Sequence, residues 1–157
     1  LGKKLGATAM AGDIFKGVIP VVLFSRLSDW PYAALACGVA AILGHLASIF
    51  IKFHGGKGVA TSAGVFLALS PLPLIIAAAI FFLTAWRTRM VGLASIVAAI
   101  TLAVIVFLMP HDLATAPFHL LPPNWTLRII VGIVALFIVV KHRSNIQRMI
   151  AGTENKI

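Results

Sequence analysis

Acidic residues are almost missing from this chain: four Asp and Glu stand against 13 Lys and Arg in 157 residues. Paired-carboxylate catalysis is therefore not expected, and no Ser-His-Asp arrangement can be assembled from what remains. Cysteine occurs once, at Cys37, which excludes an internal disulfide and a multi-cysteine zinc site. A small apolar residue is the simplest reading of Cys37. Charged residues of either sign make up only 11%, while 61% of the chain is hydrophobic and mean hydropathy is +1.05. A soluble domain of this length has too little interior for that many apolar side chains, so a bilayer is the natural solvent.

The formal net charge is +9. The basic residues border apolar runs, where they serve topology and anionic ligands. Membrane lipids are thus expected partners, nucleic acid is not, and nothing in the sequence calls for an obligate protein partner. The opening "LGKKLGATAMAGD" lacks a starting Met and the pattern of a secretory leader, and reads as a stretch from inside a longer protein.

Apolar segments fall at Ile14–Asp29, Tyr32–Ile51, Val59–Leu69, Leu72–Trp86, Val91–Met109 and Leu127–Val140. As helices, the third covers roughly 16 Å and the fourth roughly 22 Å of a hydrocarbon core about 30 Å thick. Whether 59–86 is one kinked span or two decides the topology. The break "SPLP", Ser70 to Pro73, holds two prolines and interrupts a helix. Charge gives an independent vote. With one span, Lys3, Lys4, Lys52 and Lys57 lie on one side, and Arg87, Arg89, Lys141, Arg143, Arg148 and Lys156 on the other. With two spans all of them fall on the cytoplasmic side. The expected fold is therefore an all-α integral membrane protein, a single polytopic domain over 1–157. It is a bundle of six transmembrane helices with a short helical hairpin at about 59–86. The outer connection "PHDLATAPFHLLPPN" is expected to be irregular.

This topology puts three polar stretches on one membrane face. In "KFHGGKGVATS", Gly55, Gly56 and Gly58 let backbone N–H groups approach a ligand closely, and successive N–H groups make an anion nest. The helix starting near Val59 points its positive end at the same place. Lys57 adds a full charge and Thr61 a hydroxyl, which together suit a phosphate. It is not a Walker A loop, because Ile51 and Gly58 stand where that motif needs Gly and Ser or Thr. A flexible turn with a topogenic lysine is the alternative.

In "KHRSNIQRM", His142 and Asn145 are three apart and share a helix face, with Arg143 and Arg148 beside them. Imidazole, carboxamide and guanidinium groups suit a phosphate or carbonyl ligand. A basic helix end lying on anionic headgroups explains them equally well. His45 and Ser48 lie near the inner end of the second helix, serving either function or helix packing. Asp13 and Lys16 are three apart at the start of the first helix, Asp13 being either its N-cap or a partner for a cationic site. Glu154, the only carboxylate of the tail, can pair with a cation. His111 and His119 lack a Cys or Glu partner, so no metal site is expected, and no cofactor.

Two of these stretches carry a resemblance. "GHLASIFIKFHGGKGVATSAGV", Gly44 to Val65, resembles the second motif of the bacterial acyl-phosphate:glycerol-3-phosphate acyltransferases. "KHRSNIQRMIAGTENK", Lys141 to Lys156, resembles their third, and "GKKLGATAMAGDIFKG", Gly2 to Gly17, the stretch following their first. The intervening helices match only in hydrophobicity. The sequence departs from the family at Ser48-Ile49, where Pro-Val is common, and at His54, where a basic residue is common. The family's glycine-rich first motif, with its Ser, Asn and Arg, is not in this sequence, and the chain is expected to be N-terminally incomplete.

The resemblance implies a seven-helix membrane enzyme of phospholipid synthesis in the bacterial inner membrane, with its motifs on the cytoplasmic side. It would transfer a fatty acyl group from acyl phosphate to the 1-hydroxyl of sn-glycerol 3-phosphate. On this resemblance His142 and Asn145 are catalytic. Gly55, Gly56, Lys57, Gly58, Thr61 and Arg143 bind phosphate, and Asp13, Lys16, His45, Ser48 and Glu154 support them. The competing reading is a small transporter or channel for an anionic solute. The middles of the helices at 74–83, 96–108 and 129–140 are almost wholly apolar apart from Thr101, which favours chemistry at one face over a path across.

Overall fold

Every element among the described residues is a helix. The structure, a computed structural model, describes residues 2–47, 56–122 and 125–157. In chain order the helices are α1 (Lys3–Ser25), α2 (Ala33–Leu46), α3 (Val59–Leu69), α4 (Pro71–Thr88), α5 (Val91–Leu108), α6 (His111–Thr115), α7 (Thr126–Lys141) and α8 (Arg143–Ile150). Three of them, α1, α4 and α5, are long and apolar enough to cross a membrane. The pair α7 and α8, bent by 52° at their junction, makes a fourth if it is one span. Helices α2 and α3 are apolar but shorter. Beyond Leu46 the second apolar run of the sequence passes into residues 48–55, outside the described ones.

The break between α3 and α4 lies where the prolines put it. Ser70 leaves the helix (φ −152°, ψ 66°) and Pro71 opens α4. A proline in the first turn of a helix loses nothing, since its missing N–H would have no partner there. Pro71 and Pro73 therefore end one helix by starting the next. Two expectations need correction. Helix α1 begins at Lys3, well before Ile14, so Asp13 lies inside the helix and Gly2 takes the N-cap position. The stretch is rich in Ala, Leu, Met and Lys, good helix formers whose mixed polarity hides the helix from an apolar-run reading. The outer connection also contains the single-turn helix α6.

The chain divides into two compact units: Leu1–Pro71 with Thr115–Pro123, and Leu72–Ala114 with Asn124–Ile157. In the first, α1 packs on α3 and α2. The contact is made backbone to backbone. A Cβ at Gly17 would fall on the Thr61 carbonyl oxygen and 2.7 Å from the Val65 nitrogen. A Cβ at Gly64 would fall on the Ile14 carbonyl oxygen. Gly38 of α2 receives the Val65 side chain in the same way, its would-be Cβ 2.6 Å from Cγ1. In lipid, where burying apolar surface gives helices no net attraction, such close approach through small residues is what holds them together. Around it Val21, Ile42, Val65, Phe66 and Leu69 are buried.

In the second unit α5 packs on α7, with Ala94, Leu102, Val106, Val131, Ala135 and Ile138 buried. Large apolar side chains remain outside, among them Phe82, Trp86, Leu108 and Leu136. This arrangement suits acyl chains and would be a liability in water. Polar side chains within the apolar helices bond back to their own turns, as Ser95 Oγ does to the Val91 carbonyl (2.9 Å) and Thr88 Oγ1 to that of Thr84 (2.7 Å).

The glycine contact is open to test. Gly64→Val should lower the thermal midpoint in detergent, by the equivalent of at least about 1–3 kcal/mol, because neither facing backbone can yield. Gly12→Ala, on the open face of α1 with nothing within 4 Å, should leave it unchanged or slightly raised. Equal midpoints for the two variants would refute the close α1–α3 approach.

Candidate functional site

In the first unit, polar side chains gather beside the start of α3. Gly58 is its N-cap, in the left-handed conformation at φ 78°, where a side chain is strained. The Leu46 side chain presses on it, 3.1 Å from where a Cβ would stand. Among the described residues no side chain caps α3, whose first N–H groups point toward this turn. Asp13 of α1 and His45 of α2 lie next to this turn. Lys16 Nζ donates to Asp13 Oδ1 at 3.0 Å, one helical turn along α1. His45 Nδ1 stands 3.5 Å from the same oxygen. On the other edge of the ring, Nε2 lies 2.8 Å from where a Gly56 Cβ would be. Lys57 is half-buried and Thr61 fully buried, its hydroxyl and that of Ser62 without partners among the described residues.

The second unit carries a separate polar cluster, built by a helix end. His142 closes α7 and opens α8. Its backbone N–H reaches the carbonyls of Ile138 (3.1 Å) and Val139 (3.0 Å), and its carbonyl accepts the first bond of α8, from Ile146 (2.9 Å). His142 is thus the corner between two helices, the N-cap of α8, with Asn145 in the first turn after it and both residues buried. Its ring is buried, with Nδ1 2.8 Å from the Ile138 carbonyl oxygen. A carbonyl only accepts, so Nδ1 carries the hydrogen, and in the neutral ring Nε2 is the basic nitrogen.

Helix α8 ends in a Schellman turn. Gly152 takes φ 70°, its N–H bonds the Met149 carbonyl (3.2 Å), and the Thr153 N–H bonds that of Arg148 (2.8 Å). The reversal brings Glu154 back over the helix. There it accepts from Asn145 Nδ2 at 2.6 Å and from Arg148 Nε at 2.8 Å. The Ile157 N–H then bonds the Arg89 carbonyl in the α4–α5 turn, at 2.9 Å. Asn145 and Glu154 are buried against Gly92, where a Cβ would stand 2.5 Å from Asn145 Nδ2 and 2.9 Å from Glu154 Oε1.

The sequence candidates thus sort into two groups. Asp13, Lys16, His45, Gly56, Lys57, Gly58 and Thr61 belong to the first unit, and His142, Asn145 and Glu154 to the second. Arg143 is exposed and lies outside the Glu154 network, where Arg148 takes the cation's place. Gly55 and Ser48 lie outside the described residues. Sequence reasoning missed Gly92. Its only signal is a glycine two residues into an apolar helix, which says nothing about a segment more than fifty residues away.

The tail network makes a graded prediction. Glu154→Ala should leave Asn145 and Arg148 without their acceptor, loosening 151–157 by about 1–3 kcal/mol, read as faster amide hydrogen exchange there. Glu154→Gln keeps one acceptor oxygen and should loosen the tail less. Exchange unchanged in both variants would refute the anchoring role.

Comparison with known proteins gives the family. A family model described as glycerol-3-phosphate acyltransferase matches residues 1–152. The glycerol-3-phosphate acyltransferase of Trichlorobacter lovleyi is 41% identical over 156 residues, covering 99% of this chain and 74% of the relative. That of Staphylococcus carnosus is 44% identical over 165 residues, covering 100% and 75%. Two crystal structures of PlsY, an integral membrane glycerol 3-phosphate acyltransferase, superpose on this chain. Its glycerol 3-phosphate form does so with TM-score 0.83 at 30% identity, over 100% of this chain and 73% of that one. Its lysophosphatidic acid form gives 0.82 at 30%, over 99% and 74%. By sequence and by fold, the chain belongs to the glycerol-3-phosphate acyltransferase family of integral membrane proteins.

Proposed function

We propose that the protein transfers a fatty acyl group from acyl phosphate to the 1-hydroxyl of sn-glycerol 3-phosphate. The products are 1-acyl-glycerol 3-phosphate and phosphate, at the entry to phospholipid synthesis. Membership of the family across residues 1–152 carries this reading. The chemistry of the side chains supports it. Both substrates are phosphate anions, and the chain is rich in cations and poor in carboxylates.

The glycerol oxygen attacks the acyl carbonyl carbon, the anhydride C–O bond breaks, and phosphate leaves with the bonding pair. The proton of the attacking hydroxyl passes to a substrate phosphate oxygen, so the protein supplies no strong base. Its part is positioning and charge stabilisation. Gly55, Gly56, Lys57, Gly58 and Thr61 bind phosphate in the first unit, and exposed Arg143 is a phosphate-binding cation of the second. His142 and Asn145 orient substrate and stabilise charge on the reacting groups. Asp13, Lys16, His45, Ser48 and Glu154 support these groups. The acyl chain enters from the bilayer between helices. The polar substrate arrives from the cytosol at the inner membrane, a side that the positive-inside count supports.

The test is acyl transfer by the natural protein in detergent, with long-chain acyl phosphate and labelled glycerol 3-phosphate. Lysophosphatidic acid should form, and Lys57→Ala in a still-folded protein should reduce kcat/KM by about a hundredfold or more. No product from folded protein would overturn the assignment. With a substrate phosphate as proton acceptor, His142→Gln should lower the rate and leave the shape of the pH–rate profile unchanged. A limb that disappears in that variant would make His142 the base.

A further inference from the structure

The His45 ring sits between two groups that belong to different segments. On one edge Nδ1 lies 3.5 Å from Asp13 Oδ1 of α1. On the other, Nε2 lies 2.8 Å from the point a Gly56 Cβ would occupy. The His45 side chain is mostly buried at 14% exposure, and the Asp13 carboxylate is itself tied to Lys16 Nζ at 3.0 Å. The ring therefore cannot swing toward α1 without displacing an anchored carboxylate. Nor can it be crowded from the loop without being pushed that way. Gly56 has no side chain at the one place where a methyl would strike the ring.

We propose that His45 is a positioning residue that sets the path of residues 56–58 into α3. Beside Asp13 at 3.5 Å, the imidazole acts as a wedge against the Gly56 backbone. Asp13, paired with Lys16, backs the wedge. The inference rests on the proposed phosphate role of 55–58 and specifies how that site is kept in shape. It also assigns Gly56 a reason distinct from that of Gly58. Gly58 is glycine for its backbone angle. At Gly56 the room a side chain would need is taken by His45.

A steric wedge has a signature that a merely structural role lacks, namely rescue. Gly56→Ala should displace the ring or the loop and weaken glycerol 3-phosphate binding about tenfold or more. The KM for the acyl donor should move much less. Adding His45→Ala removes the obstacle, so the double variant should bind no worse than His45→Ala alone. If His45→Ala does not fold, His45→Asn, shorter than the imidazole and still able to donate to Asp13, carries the same comparison. Glycerol 3-phosphate binding to the detergent-purified natural protein, followed by calorimetry, reads the wedge, and turnover reads the function. Rescue of binding in the double variant supports the wedge even if no variant turns over, an outcome that would overturn only the acyltransferase assignment. Losses that multiply in the double variant, or no binding by any variant, would overturn the wedge.

Discussion

The contact on which the first unit depends is the approach of α1 to α3 without side chains between them. Gly17 faces the Thr61 carbonyl and Gly64 faces that of Ile14, so each helix supplies the gap that the other fills. The positions are linked by a three-residue spacing on both helices, one turn each. Because the backbones touch, what lies next to them along either helix is placed with little freedom. Asp13 directly precedes Ile14, and Thr61 stands on the first turn of α3. A contact that works as packing also sets a carboxylate and a helix start in register.

The scarcity of acidic residues gives the two described carboxylates of interest unusual weight. Asp13 and Glu154 do similar jobs in different units. Each takes a cation and a second polar group: Lys16 and His45 for Asp13, Arg148 and Asn145 for Glu154. Each also stands beside a glycine-lined space, filled by His45 at Gly56 and by Asn145 and Glu154 at Gly92. A carboxylate without a cation repels anions near it. One already engaged by a cation keeps its neighbour in place with less of that penalty.

The two clusters are built by different means. The start of α3 offers backbone features, a left-handed glycine and a helix N-terminus without a side-chain cap among the described residues. The C-terminal cluster relies on side chains brought together by a chain reversal. The Schellman turn at Gly152 turns a helix end into an anchor, and Glu154 reaches Asn145 only because of it. Such a turn needs a glycine shortly after the last helical residue, and Ala151-Gly152-Thr153 provides it.

Much of this was legible in the residues themselves. The apolar runs and the prolines at 71 and 73 define the all-helical character and the α3–α4 break, because proline chemistry and hydropathy act locally. The glycine loop, Lys57 and the C-terminal motif carry the family resemblance, because each is a short run read in sequence order. The start of α1 was not legible, since a helix of mixed polarity leaves no apolar run, and so Asp13 was misread as a possible cap. The bend at His142 was not legible either, since neither proline nor glycine marks it. Residues taken singly or in short runs determined the solvent and the helical class, because hydropathy and proline chemistry act locally. Only tertiary structure decided that His45 lies between Asp13 and Gly56 and that Gly92 makes room for Asn145. Those depend on which backbones touch, a relation between distant segments that no local pattern records.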